Sequence, residues 1–499
     1  MKIKKIFGPP GSGKTTYLLN IVEQELAAGV PASSIGYFAF TRKAANEAKE
    51  RAIARFPHLN QETDFPWFRT LHSLAYKCLG INQKDMMSSE HYAEFAKQVG
   101  IEVNTSSVDD FTIKADHPIL NEINIARIRN EDLRVYYNRS SLNIEWHHFE
   151  YIDRAYRHYK NAKNLIDFTD LIQNLLNEPD RLPSLHTIII DEAQDLSLLQ
   201  WKLVEELASR SQVTYLAGDD DQAVYTWAGA DVASFLNLPG EIQVLDQSYR
   251  VPQSVHDLAT NVVNRIRNRQ EKAWKPREFD GLVCTYNVYT QVDITQGQWL
   301  ILASTNYILN DIAPWVRSQG LLYERNGHRS ISESNLLAVV GWEMLRKGKA
   351  INYNSLKSVY QYLDSSLVAK GHKRLTAADP NRHYDAETLI KDHGLAGCDL
   401  IWHEALTKIS DLNRDYIIAM LRRGTRLLST PPIRLSTIHG AKGGEADNVL
   451  LVMDLSPRFM ADHAHSPDDL NRLLYVGITR AKQTLHLVLP KDNSKGFLI

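Results

Sequence analysis

The chain has 499 residues, too many for one hydrophobic core, so two to four domains are expected. Hydrophobic and charged fractions of 43% and 23% are ordinary for a soluble globular protein, and a net charge of -2 leaves no basic excess. Any polyanion must therefore be met by basic groups gathered locally. No apolar run reaches the roughly 18 residues of a membrane span, the basic start Met1 to Phe7 lacks a signal-peptide core, and Cys78, Cys284 and Cys398 are too scattered for a disulfide, zinc or iron–sulfur framework. A reducing cytoplasm is the expected setting.

Ile3 to Phe7 reads as a short strand and Thr16 to Leu26 as a helix. Between them lies Gly8-Pro9-Pro10-Gly11-Ser12-Gly13-Lys14-Thr15, the G-x-x-x-x-G-K-[ST] pattern in the context it needs. The glycines let backbone N–H groups turn toward phosphates, and the helix N-terminus adds positive potential. Lys14 is expected to reach the β- and γ-phosphates and Thr15 to ligate Mg²⁺. The bland alternative, a glycine-rich turn before a helix, leaves the lysine and threonine unexplained.

Leu185 to Ile190, "LHTIII", reads as a buried parallel strand that ends in Asp191-Glu192-Ala193-Gln194-Asp195. Ligands of parallel sheets bind at the carboxyl ends of strands. Asp191 is thus placed to hold Mg²⁺ through water, and Glu192 to orient and deprotonate an attacking water. Val213 to Ala217 is another strand, followed by "GDDDQAVYTWAGA" from 218 to 230. Gln222 can sense the γ-phosphate, because an amide both donates and accepts. Tyr225 and Trp227 have faces suited to unpaired bases, although composition alone favours core packing for them.

The motifs, taken in order, resemble the UvrD/Rep-type family of superfamily 1 DNA helicases. Besides the phosphate loop and "DEAQD", they are "FAFTRKAANEAKERA" (38 to 52), "FRTLHSLAYKCL" (68 to 79), "IDFTDLI" (166 to 172), the 218–230 stretch, "LDQSYRVP" (245 to 252), "IRLSTIHGAKGGEADNVLLV" (433 to 452) and "NRLLYVGITRAKQTLHLV" (471 to 488). The resemblance implies an α/β protein with two RecA-like P-loop parallel-sheet motor domains in tandem, each interrupted by a mainly helical accessory insertion. It implies an ATP- and Mg²⁺-dependent DNA helicase that moves 3′ to 5′ on single-stranded DNA and unwinds duplex in replication, repair or recombination. Carried over by position, Tyr249 stacks on the nucleotide base, Glu445 contacts the ribose, and Arg250 and Arg480 approach the γ-phosphate from the second domain. Tyr225 and Trp227 then stack on DNA bases, while Thr41, His72, Thr437 and His439 lie along the strand. Single-stranded DNA and its junctions are the expected partners, with accessory replication or repair proteins, no membrane, and a monomeric state.

On this reading the first RecA-like domain comprises 1–76 and 166–245, interrupted by an insertion over 77–165. The second comprises 246–334 and 430–499, with strands in "QWLILAST", "NVLLVM" and "TLHLVL", interrupted over 335–429. The latter insertion looks short for the family. In the first, Arg127, Arg129, Arg134 and Arg139 either face duplex phosphates or lie on a solvated basic surface, with Phe149, Ile152, Tyr156 and Tyr159 as a packed helix face. The stretch 374–385 reads as a loop, and 421–432 as a helix end and linker.

Some features depart from the family. Only seven residues precede Gly8, where relatives carry a glutamine that reads adenine, and Thr16 stands where they carry an arginine beside the base. Lax base discrimination is the expectation. Only 19 residues follow Arg480, so no appended nuclease domain is expected. His403-Glu404 starts like a zinc-peptidase motif but lacks the second histidine. An ATP-driven single-strand translocase that remodels protein–DNA complexes without processive unwinding is the alternative function. A small-molecule kinase would leave the motifs beyond residue 245 unexplained.

Overall fold

Apolar, β-branched runs flanked by glycine and acidic turns become the central strands of two parallel sheets. The computed structural model describes residues 2–499 except 61, 110, 111, 141, 376, 377, 464, 465 and 498. The stretch 374–385 and the insertion 77–165 therefore include positions outside the described residues. The chain divides into two compact units. The first holds 1–251, 262–279 and 467–475; the second holds 252–261, 280–466 and 476–499.

The first unit contains a six-stranded sheet, in spatial order Phe68–Arg69, Ile35–Phe38, Thr187–Ile190, Val213–Gly218, Lys2–Phe7 and Glu241–Val244. Every neighbouring pair is parallel. The strands 187–190 and 213–218 lie beside 2–7 in that order, so Asp191, Asp219 and Gly8 all emerge at one edge. Gly8 N–H donates to the Gly218 carbonyl at 3.0 Å, and Asp191 N–H to the Phe38 carbonyl at 2.9 Å.

Between the 68–69 and 187–190 strands the chain is largely helical. The helices Ser89–Val99, Pro118–Ile128 and Trp146–Lys163 share a core that includes Phe95, Ile123, Phe149, Ile152, Tyr156 and Tyr159. The helix 146–163 thus buries the apolar face its sequence spacing suggests. Its partners correct one expectation. Arg127 is largely buried in ion pairs to Asp167 and Asp170, and Arg129 donates to the Thr226 carbonyl at 3.2 Å. Arg134 lies 4.3 Å from the Trp146 ring centroid, and Arg139 pairs with Glu131. Arg127 is thereby withdrawn from any row facing duplex phosphates, while Arg134 and Arg139 remain exposed.

The second unit contains a seven-stranded sheet, in order His328–Arg329, Tyr323–Arg325, Ile433–Thr437, Trp299–Ala303, Ala446–Val452, Ala481–Val488 and Leu282–Tyr286. Only the 323–325/328–329 pair is antiparallel. Between the 328–329 and 433–437 strands lie the helices Glu333–Arg346, Tyr353–Tyr362, Ala386–Asp392 and Asp411–Arg422, around a core with Trp342, Leu356, Leu389, Trp402 and Ile417. Trp342 Nε1 donates to the Leu400 carbonyl at 2.8 Å, which satisfies the one polar atom of a fully buried indole.

Candidate nucleotide site and adjoining cavity

Gly11 and Gly13 adopt φ of 73° and 76°, a left-handed conformation that L side chains avoid. They turn the chain into the helix Lys14–Ala27, whose cap is Gly13. The loop is closely held: a Cβ on Gly8 would lie 2.2 Å from Lys14 Cγ, and one on Gly11 would lie 2.3 Å from Arg250 Cβ. Pro9 and Pro10 are buried, while Thr16 is exposed on the first helical turn. Ser12 Oγ is buried with no hydrogen-bond partner among the described residues. A buried hydroxyl without a partner is costly unless a ligand oxygen completes it. Left-handed glycines, a helix N-terminus and a hydroxyl awaiting a partner fit a phosphate chain.

Lys14 Nζ donates to the Gly8 carbonyl at 2.8 Å and lies 4.0 Å from Glu192 Oε1. Glu192 has φ of 56°, uncommon for a residue with a Cβ and a form of strain that concentrates at functional sites. Gln194 Nε2 donates to Glu192 Oε2 at 2.6 Å, which fixes the carboxylate. Asp191 accepts from Tyr37 Oη at 2.8 Å and from Glu192 N–H at 2.9 Å. Burial, and then the Glu192 charge, push its carboxyl above the ordinary range, an environment a bound cation would relieve. Asp191 and Thr15 are thus a chemically suitable pair for a magnesium ion.

The 248–250 segment packs on this loop. Ser248 Oγ donates to the Pro10 carbonyl at 2.7 Å, and Tyr249 N–H to the Gly11 carbonyl at 2.9 Å. The Tyr249 ring is 73% exposed, and its Cε2 lies 4.0 Å from a Cβ built on Gly13. It therefore presents a free aromatic face beside the start of the helix. Arg250, expected with the second sheet, groups with the unit that carries the phosphate loop. Arg480 and Glu445 are in the other unit. Arg480 is buried, with Nε donating to the Val476 carbonyl at 2.9 Å, and Glu445 is exposed, 3.7 Å from Lys482 Nζ.

Asp219, Asp220 and Asp221 are almost wholly buried. Sequence reasoning missed their counter-ions. Lys272 Nζ lies 3.5 Å from Asp219 and 2.8 Å from Asp221 and contacts Asp220 directly. Arg269 donates through Nε and Nη2 to the two Asp221 oxygens, each at 2.8 Å, and Arg472 Nε donates to the Asp220 carbonyl at 3.0 Å. Burial would lower the Lys272 pKa, but the three carboxylates raise it, so the lysine stays charged. A run of buried acids requires such partners, but "NRQEKAWKP" carries no local pattern that announces them. Gln222 Nε2 donates to Asp219 Oδ2 at 2.6 Å.

A cavity of about 370 Å³ opens in the same unit, between sheet edge and helical segment. Phe40, Thr41, His72, Tyr225 and Phe168 line it. Tyr225 stacks on Phe40 with centroids 5.5 Å apart, and His72 on Phe168 at 3.8 Å. Thr41 Oγ1 accepts from Ala44 N–H at 3.2 Å and caps the helix Arg42–Arg55. Burial pulls the His72 imidazole pKa down to about 3, so the ring is neutral. The cavity thus joins Thr41, His72 and Tyr225; Trp227 is not among its lining residues and is 47% exposed. Thr437 and His439 lie at the carboxyl end of the 433–437 strand in the second unit, where Thr437 Oγ1 accepts from Gly440 N–H at 3.1 Å.

Residues 3–243 match the UvrD/REP helicase N-terminal domain, and residues 401–492 the UvrD-like helicase C-terminal domain. The chain is similar to ATP-dependent DNA helicase PcrA of Bacillus subtilis, 27% identical over 389 residues, 71% of this chain and 50% of that protein. It is 25% identical over 415 residues to ATP-dependent DNA helicase srs2 of Schizosaccharomyces pombe, covering 72% of this chain and 44% of the relative. A probable DNA helicase of Mycoplasma pneumoniae is 28% identical over 364 residues, 65% of each chain. The chain spans about half to two thirds of the length of these relatives.

Proposed function

The chain belongs to the UvrD/REP-type family of superfamily 1 helicases, and we propose from that premise that it is an ATP-dependent DNA helicase that translocates 3′ to 5′ on single-stranded DNA and unwinds duplex. The observation that carries the reading is the loop edge itself. A buried Ser12 hydroxyl without a partner, Lys14 and a backbone-strained Glu192 converge where three adjacent strands end. Lys14 binds the phosphate chain, and Glu192, aimed by Gln194, accepts the proton of the attacking water. Thr15 and Asp191 would hold Mg²⁺, which would supply charge neutralisation on the phosphate chain. Gln222 senses the γ-phosphate, and Arg250 and Arg480 stabilise charge on the transferred group. Tyr249 stacks on the nucleotide base and Glu445 contacts its ribose.

Thr41, His72, Tyr225 and Trp227 in one unit, and Thr437 and His439 in the other, contact the DNA strand. Stacking on Tyr225 and Trp227 tolerates every base, as a translocating motor requires. The helical segments within each unit serve as accessory insertions of tandem RecA-like domains. The reading has the chain act as a monomer in cytoplasmic DNA replication or repair; among the described residues, no helix is long and apolar enough to cross a membrane.

The test is ATP hydrolysis with and without single-stranded DNA, then strand displacement on duplexes with 3′ or 5′ tails. DNA-stimulated hydrolysis with displacement only from 3′ tails is expected. Stimulated hydrolysis without displacement selects the translocase reading, and no hydrolysis removes both.

A further inference from the structure

The three buried aspartates after the 213–218 strand raise a physical question. Adjacent carboxylates repel, and burial makes that repulsion expensive. Their cation, Lys272, has a side chain with no exposure, and among the described residues it is the one ammonium paired with all three acids. Asp220 also accepts from Gln270 N–H at 2.8 Å, and Asp221 is clamped by Arg269. Asp219 is different. Its Oδ1 faces Lys272 at 3.5 Å, while its Oδ2 accepts from the Gln222 amide. Its own N–H donates at 2.9 Å to Gln194 Oε1, and the amide of Gln194 holds Glu192. A continuous polar chain thus runs from Lys272 through Asp219 to Gln222 on one side and to Glu192 on the other.

We propose that Lys272 is a positioning residue for hydrolysis: by holding the Asp219 carboxylate in place, it keeps the Gln222 amide in the orientation that meets the γ-phosphate. The inference rests on the hydrolytic role proposed above for this edge. Without the ammonium, the buried Asp219 carboxylate loses its nearest cation and swings toward another donor. That change removes the acceptor that orients Gln222. Of the three acids that Lys272 pairs with, Asp219 is the one whose carboxylate accepts from the Gln222 side-chain amide, so the effect of Lys272 on that amide runs through Asp219.

Wild-type hydrolysis is measured first, with saturating single-stranded DNA; no hydrolysis there overturns the functional reading, and the variants below judge Lys272 only once it is present. Lys272→Met is expected to lower kcat about a hundredfold, as small misplacements of reacting groups do, with KM for ATP changed less than about threefold. Lys272→Arg is expected to recover most of the loss. In a Gln222→Ala background the same Lys272→Met change should cost less than about threefold more, because both act through one amide. Lys272→Met combined with Asp220→Asn removes a charge pair together, which preserves folding, yet still leaves Asp219 without its cation. That double variant should remain slow. Wild-type kcat in Lys272→Met or in the double variant, or a full multiplicative loss on top of Gln222→Ala, overturns the proposal.

Discussion

Two buried clusters in the first unit have nearly the same ingredients. At the sheet edge, Asp219 to Asp221 are met by Lys272 and Arg269. At the cavity wall, Asp167 and Asp170 are met by Lys160 and Arg127, and Arg127 and Asp167 are among its lining residues. The second cluster closes on itself. Asp167 Oδ2 takes Arg127 at 2.6 Å, Lys160 at 2.7 Å and Tyr156 Oη at 3.0 Å, while Asp167 and Asp170 cap each other's N–H groups at the start of the helix Phe168–Asn177. Burial opposes ionisation of Asp167, but Arg127 and Lys160 outweigh it and hold the carboxyl far below the usual range. The first cluster does not close. Its bonds lead outward to Gln222 and, through Gln194, to the backbone-strained Glu192. Charge content is the same in kind; what separates a strut from a site is the set of groups left to meet a ligand.

The sharpest test of that distinction lies at the open cluster's end. Glu192→Gln should abolish turnover, a loss of about a hundredfold or more, while ATP still binds, because only proton abstraction is removed. Lys14→Ala should abolish turnover and weaken ATP binding as well, since it deletes a phosphate contact. Nucleotide titration beside steady-state rates separates them, and normal turnover in either variant would falsify the assignment of the edge.

The closed cluster should answer in stability instead. Arg127→Met leaves Asp167 and Asp170 buried with one cation fewer, which typically costs about 3–5 kcal/mol. A large drop in the unfolding midpoint is expected, with kcat per folded molecule unchanged. If hydrolysis falls while the denaturation curve stays in place, the two clusters are not different in kind.

The open cluster also explains what the sequence could and could not reveal. The phosphate loop, "TIII" before Asp191 and the strand before Gly218 are legible because each is a local pattern of period and punctuation, and the structure forms strands at 2–7, 187–190 and 213–218. The face Phe149, Ile152, Tyr156, Tyr159 was legible as helical spacing. Lys272, Arg269 and Arg472 were not, because their pairing partners lie some 50 to 250 positions away in the chain. Arg127 misled for a related reason: an arginine on an amphipathic helix reads as solvated until its buried carboxylates, 40 positions on, are seen. The unit boundaries at 251, 262 and 467 follow long-range packing that no composition shift marks.

Trp227 tests whether the open segment extends to DNA. It follows Gln222 by five residues and is half exposed, unlike the packed Tyr225. Trp227→Ala should cost about 1–3 kcal/mol of single-strand affinity, with DNA-stimulated hydrolysis reduced more than the basal rate. Unchanged affinity and unchanged rates would make the indole a bystander and confine the segment's role to the nucleotide.

The smallest expected effect concerns His72, on the cavity wall shared with the closed cluster. Arg42, Arg127, Asp167 and Asp195 line the same cavity, yet burial dominates and lowers the imidazole pKa to about 3. A neutral ring stacked on Phe168 gives no positive charge to phosphates. Between about pH 7.5 and about pH 5, where an ordinary histidine would gain a proton and strengthen DNA binding, His72 should contribute no change. The linkage runs in the acid direction. The folded pKa is depressed below the ordinary 6.5, so the stability tied to the neutral ring is full above 6.5 and is lost as pH falls toward 3. His72→Gln should therefore flatten part of the acid limb of a stability–pH curve, by at most one proton's slope of about 1.4 kcal/mol per pH unit. Urea midpoints at several pH values, beside DNA titrations at the same values, measure both. A His72-dependent rise in DNA affinity near pH 6 would mean that the ring is charged and solvated in the complex, and that the cavity wall opens when the strand enters.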